Sequence, residues 1–144
     1  EWYGTERTFY PHPADLVSLS GFFPRINTSY VPMVALPQDG SETEAQCHDR
    51  VRITMERIIS SCDGAGPQGP RTILLVGHAA SVISVVRALL ADPMAPVESG
   101  TCCVFEFKRE GRGWRMVREN ASSFLSEQDV RSWTFEAEYG VIAI

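Results

Sequence analysis

Neither a C-x-x-C pair nor a histidine at metal-ligand spacing from a cysteine occurs in this 144-residue chain, although it contains Cys47, Cys62, Cys102 and Cys103. A zinc ribbon or a dithiol redox motif is therefore not indicated, and a disulfide framework is poorly supported. The expected setting is reducing: cytoplasm, with the nucleus as a second compartment. His12, His48 and His78 lie far apart, so the sequence offers no zinc ligand set. Long hydrophobic runs are missing as well. The longest apolar stretch, Thr72 to Val76, falls far short of the ~18 residues that span a bilayer, so no membrane association is expected. No secretory leader is expected: the chain opens Glu-Trp-Tyr-Gly, without methionine, and is expected to be a piece of a longer protein. Positive charge is in deficit, with 13 Lys and Arg against 18 Asp and Glu, a net charge of −5. Wholesale binding to nucleic acid phosphates is not expected of such a chain.

What is present suits one globular domain. The chain is 44% hydrophobic and 22% charged, and a chain of about 150 residues buries roughly 68 to 70% of its unfolded surface, enough for a core without staples. The first forty residues carry Pro11, Pro13, Gly21, Pro24, Pro32, Pro37 and Gly40. Each proline restricts itself and its predecessor, which leaves room for one short helix over Ala14 to Ser20. The aromatics Trp2, Tyr3, Phe9, Tyr10, Phe22, Phe23 and Tyr30 are too many for a solvated tether. An ordered loop over a functional surface is expected.

From Ser41 the pattern is helical. Ser41 and Glu44 have capping-box spacing, and Cys47, Val51, Met55, Ile58, Ile59 and Cys62 recur at steps of three and four. Asp63 to Pro70 ends the helix. Thr72-Ile73-Leu74-Leu75-Val76 has no alternation, as expected of a strand covered on both faces. A second helix is expected over Ser81 to Leu90, stopped by Asp92-Pro93. Helix, central strand, helix is the rhythm of an α/β fold with a mainly parallel sheet flanked by helices. Strands at Thr101 to Lys108 and Trp114 to Arg118 are joined by Glu110-Gly111-Arg112-Gly113 as a hairpin. The segment from Ala121 to Ile144 has no placement from the pattern.

Ligands in open α/β sheets bind beyond the carboxyl ends of strands, where Gly77-His78-Ala79-Ala80-Ser81 falls. Glycine permits a sharp turn, the alanines keep the approach narrow, and a helix N-terminus there offers amides and a positive dipole end to an anion. The same pattern also fits a buried structural histidine followed by Ser81 as a simple N-cap. Ser81 lacks the G-x-S-x-G elbow of a hydrolase nucleophile. Strand-Gly-His-Ala-Ala-Ser-helix, with Gly40-Ser41-Glu42 and Arg50-Val51 before it, resembles the second half of the histidine phosphatase superfamily, the phosphoglycerate mutase-like fold. Glu1-Trp2, Leu16 to Gly21, Tyr30-x-Pro32, Met55-Glu56-x-Ile58-Ile59, Cys102 to Phe105 and Trp114 extend the likeness over about Glu1 to Asn120. Within the superfamily these segments are similar to the C-terminal phosphatase domain of suppressor of T-cell receptor signalling proteins and of ecdysteroid-phosphate phosphatases.

The resemblance implies that residues 1–144 are the C-terminal part of a histidine phosphatase domain, incomplete at its N-terminus. It implies phosphomonoester hydrolysis through a phosphohistidine, on a phosphotyrosine protein or a phosphorylated sterol, without cofactor or metal. An upstream Arg-His-Gly supplies the nucleophile in that family. His78 matches the second, phosphoryl-binding histidine, and Glu1 the acid that protonates the leaving oxygen. Ala79 and Tyr30 are the expected substrate contacts. A homodimer, with ubiquitin-associated and SH3 domains upstream, is implied for the parent protein. No Arg-His-Gly occurs in the chain, so the isolated chain is expected to be inert. Glu42 matches the family's Gly-Glu-Ser only loosely, and Arg50 reads as a structural ion-pair residue. Tyr3, Tyr10, Phe22, Phe23 and Tyr30 fit either a substrate wall or loop packing. Of Cys102 and Cys103, alternating on a strand, one is expected in the core. Lys108, Arg109, Arg112, Arg115 and Arg118 give the hairpin a basic edge, either solvated protection or a dock for an acidic partner. An inactive phosphatase-like assembly module is the alternative reading of the whole.

Overall fold

Two long helices, packed against each other and against a β-hairpin, position everything that follows. A computed structural model describes residues 14–35, 41–126 and 131–138. Its elements are α1 (Leu16–Ser20), α2 (Glu44–Gly64), α3 (Ala79–Leu90), β1 (Ser99–Gly100), β2 (Val104–Glu110), β3 (Gly113–Ala121), β4 (Ser132–Trp133) and α4 (Phe135–Glu138), with a 3₁₀ turn at Gly66–Gln68.

α1 forms because the Asp15 carboxylate accepts from the Ser18 amide and hydroxyl, at 2.9 and 2.7 Å. None of its residues is buried. α2 starts later than the sequence suggests. Its capping box is Thr43 with Gln46, the Thr43 hydroxyl accepting from the Gln46 amide at 3.2 Å and the Gln46 side chain accepting from the Thr43 amide at 2.8 Å. Ser41 with Glu44 has the same spacing, but the later start frees Glu42 to turn inward. Cys47, Val51 and Met55 are the buried face of α2 and pack with Ile58, Ile59, Val85 and Leu89 into a cluster between α2 and α3.

α3 begins two residues before the expected Ser81, so its N-cap is His78 rather than Ser81. It ends on Ala91 in the left-handed region at φ 55°, with the Ala91 amide returning to Ala88 and Arg87. Its other face forms the second core with Ala80, Ile83, Val86, Ala95, Val97 and Phe135, flanked by Leu90, Phe105, Phe107, Met116 and Trp133. β2 and β3 form the expected antiparallel hairpin, in register Glu110 to Gly113 and Phe107 to Met116, with Gly111 at φ 61° in the turn. Cys102 and Cys103 precede this strand instead of alternating within it. Cys102 is exposed at φ 57°, and Cys103 is half-buried near Ser99. The C-terminal segment, which has no periodic pattern, supplies β4 opposite β1 and delivers Phe135 into the core.

The parallel-sheet α/β architecture of the phosphoglycerate mutase-like kind is not what forms. Among the described residues the strands make two antiparallel two-stranded sheets, β1 with β4 and β2 with β3, and no parallel pair. Thr72 to Val76, expected as the central strand, is irregular and exposed: Leu74 is 86% and Val76 90% accessible. A continuous apolar run becomes a buried strand only when neighbours pair its backbone and cover both faces. Neither is supplied to this run by the described residues.

Candidate functional site

His78 stands where the exposed run meets α3. Its backbone is extended (φ −94°, ψ 166°), its carbonyl accepts from the Val82 amide at 2.9 Å, and its side chain does not cap the helix. The residue is exposed, Ala79 is half-buried and Ala80 buried. The first-turn amides of a 12-residue helix, with the positive end of its dipole, thus open beside an accessible imidazole. Such a corner can hold an oxyanion by hydrogen bonds from amides and from a ring N–H.

Gly77 is not demanded by the corner. A Cβ there would lie 3.5 Å from Ser81 Cβ and 3.9 Å from Val82 Cγ2, ordinary contact distances, and its φ is not in the left-handed region. Gly77→Ala is expected to raise stability slightly, by about 0.4 to 1 kcal/mol, by removing freedom from the unfolded chain. A chemical denaturation midpoint lower than that of the parent sequence would contradict this.

Of the other expected site residues, Glu1 lies outside the described residues, as do Trp2, Tyr3, Phe9 and Tyr10. Tyr30 is described and 54% exposed; Phe22 and Phe23 are 81% and 60% exposed. These aromatics therefore do not pack their loop. The Arg57 guanidinium of α2 ties the loop to the helices by donating to the Met33 carbonyl. Glu42 is buried and accepts both Nε and Nη2 of Arg50, at 2.6 and 2.7 Å. That bidentate pair occupies the guanidinium, so Arg50 is structural. The basic hairpin edge is largely matched: Arg109 meets Asp63, Arg115 meets Glu110 and Arg118 meets Glu106.

Sequence reasoning missed a buried polar cluster between α2, α3 and α4. Arg87, 3% exposed, donates from Nε to the Ala95 carbonyl at 3.0 Å, from Nη1 to Glu44 at 3.0 Å and to His48 Nε2 at 2.7 Å, and from Nη2 to Glu136 at 3.2 Å. Guanidinium has no acceptor, so His48 Nε2 accepts and the neutral ring carries its proton on Nδ1. Nδ1 donates to Ser84 Oγ at 2.9 Å, and Ser84 in turn donates to the Ala80 carbonyl at 2.8 Å. Burial, then the Arg87 charge, hold the His48 pKa below its ordinary value. Burial pushes the neighbouring Cys47 thiol up to about 11, which keeps it protonated and unreactive at neutral pH. Ser84 is buried with its proton committed, so the His48–Ser84 contact is not a nucleophile and base pair. The available signal was Ser84 and Arg87 among the apolar residues Val82 to Leu90 of α3, with Glu44 and His48 one turn apart on α2.

A cavity of about 680 Å³ opens beside this cluster, lined by Met55, Ile59, Leu89, Arg109 and Trp114 among others, and His78 is not on its wall. Among the described residues no group of three or more His, Cys, Asp or Glu side chains is placed to hold a metal ion, and no helix is long and apolar enough to cross a membrane. No family model matches the chain, and no curated protein matches it.

Proposed function

We propose that the chain furnishes part of a phosphomonoester-hydrolysing site, with His78 as an oxyanion-binding imidazole and Glu1 as the acid. The observation that carries this reading is the exposed His78 ring at the open N-terminus of α3, ahead of the narrow Ala79-Ala80 approach. In the proposed reaction a histidine of an Arg-His-Gly segment, absent from these residues, attacks phosphorus. The ester oxygen leaves with the Glu1 proton, and water then attacks the phosphohistidine to release inorganic phosphate. His78 and the α3 amides stabilise the charge spread over the phosphoryl oxygens. The exposed aromatics Phe22, Phe23 and Tyr30 suit an aromatic or sterol leaving group.

The 144-residue chain alone is expected not to hydrolyse p-nitrophenyl phosphate, for want of a nucleophile. In a longer polypeptide that supplies Arg-His-Gly, His78→Ala is expected to lower kcat by about 10²- to 10³-fold, the usual cost of one oxyanion donor. Unchanged turnover in that variant removes His78 from the mechanism. A second reading, an inactive phosphatase-like assembly module, is favoured by the exposed run Ile73 to Val76, an apolar surface suited to being covered by another body. Absence of p-nitrophenyl phosphate hydrolysis in the longer polypeptide, with Arg-His-Gly replaced there, selects it.

A further inference from the structure

The 2.7 Å contact between His48 Nε2 and Arg87 Nη1 depends on a single proton. It is a hydrogen bond only while Nε2 keeps its lone pair, because the guanidinium can only donate. The ring has no alternative tautomer to offer: Nδ1 is committed to Ser84 Oγ, whose own proton goes to the Ala80 carbonyl. A solvent proton arriving at Nε2 turns the acceptor into a second donor and sets an imidazolium against a guanidinium that is almost fully buried.

The surroundings of the ring are divided. From α2, Glu44 Oε1 lies 3.5 Å from Nε2, and Asp49 adds a more distant negative charge. From α3 come Arg87 and Ser84; from the C-terminal segment come Glu136 and the edge-packed Phe135 ring, its centroid 4.9 Å from that of His48. The three carboxylates favour the imidazolium. Burial and Arg87 oppose it, and they prevail.

What rests on this contact is the segment 131–138. Arg87 holds Glu136 and stands 5.5 Å over the Phe135 ring, which also packs against Trp133. The segment is also tied by the short β1–β4 ladder, by the bonds from Thr101 to the Arg131 carbonyl and by the packing of Phe135 in the core. We propose that His48 is a proton-operated latch for residues 131–138: neutral, it accepts Arg87 and the pair closes on Phe135; protonated, it turns Arg87 away and the segment lifts from α2 and α3.

The sign follows from linkage. The latched state binds the His48 proton less tightly than the open state, whose histidine is near its ordinary 6.5. Latching is therefore strongest above about pH 6.5 and weakens as pH falls from there through the lower, latched value. Hydrogen exchange on the full chain tests it. Amides of 132–136 are expected to lose protection between pH 7.5 and 5.5, by at most about tenfold after correction for intrinsic exchange, while the β2–β3 hairpin does not. His48→Gln, which keeps an acceptor without titrating, is expected to show equal protection at both values. Because that variant disturbs a packed site, NMR of the unsubstituted chain gives a second decision: an Nδ1–H tautomer with a titration midpoint below 6.5 that coincides with the opening. Equal wild-type protection at both pH values, the same pH dependence in His48→Gln, or an Nε2–H tautomer at neutral pH would each overturn the latch.

Discussion

Arg87→Ala is expected to lower the unfolding free energy by about 3 kcal/mol, the low end of what removing one partner from a buried charged network costs. The side chain is 3% exposed and serves four acceptors on three segments. Without it the Ala95 carbonyl, in a residue that is 6% exposed, and His48 Nε2 lose their donor. Glu44 and Glu136, 31% and 57% exposed, rehydrate more easily, which keeps the cost away from the top of the range. Arg87→Met keeps most of the stem packing and should recover part of the loss, leaving the unsatisfied acceptors as the remainder. Urea unfolding at pH 7.5 measures both. A loss under about 1 kcal/mol for the alanine variant would mean that the cluster is hydrated and holds little.

Phe135→Ala is the second large effect, expected at about 3 to 5 kcal/mol. The ring is 1% exposed, lies in the core with Ile83, Val86, Ala95 and Val97, and contacts His48 and Trp133 edge-on. Truncation leaves a cavity between α3 and the C-terminal segment and removes the surface on which Arg87 rests. Phe135→Leu, nearer in volume, should cost far less. Arg87 and Phe135 touch, so the double variant is expected to lose less than the sum of the singles. A small effect of Phe135→Ala in urea unfolding, with the segment still protected from exchange, would show that 131–138 is held by its backbone pairing alone.

Local sequence signals located both long helices and the hairpin. The four-residue spacing of Cys47, Val51 and Met55 put the correct face of α2 inward. Gly111 appears where the hairpin needs a positive φ. Start points were less legible, because Ser41 with Glu44 and Thr43 with Gln46 are equally good capping boxes, and only the burial of Glu42 against Arg50 separates them. His78 was legible as the residue entering α3, though not as its cap. The His48–Arg87 cluster was not legible, since its members are spread from Glu44 to Glu136 and no spacing rule connects positions that far apart.

By itself the sequence determined what depends on neighbours within a turn or two of chain: the α2 and α3 periodicities and the hairpin. Tertiary structure alone decided the rest. The apolar run Thr72 to Val76 has the composition of a central strand, yet a strand is defined by backbone partners from elsewhere, and the described residues provide none. Phe135, in a segment without pattern, is central because α3 and the hairpin leave a gap of its size. Long-range pairing and cavity filling are set by which surfaces meet, and one-dimensional spacing does not encode that meeting.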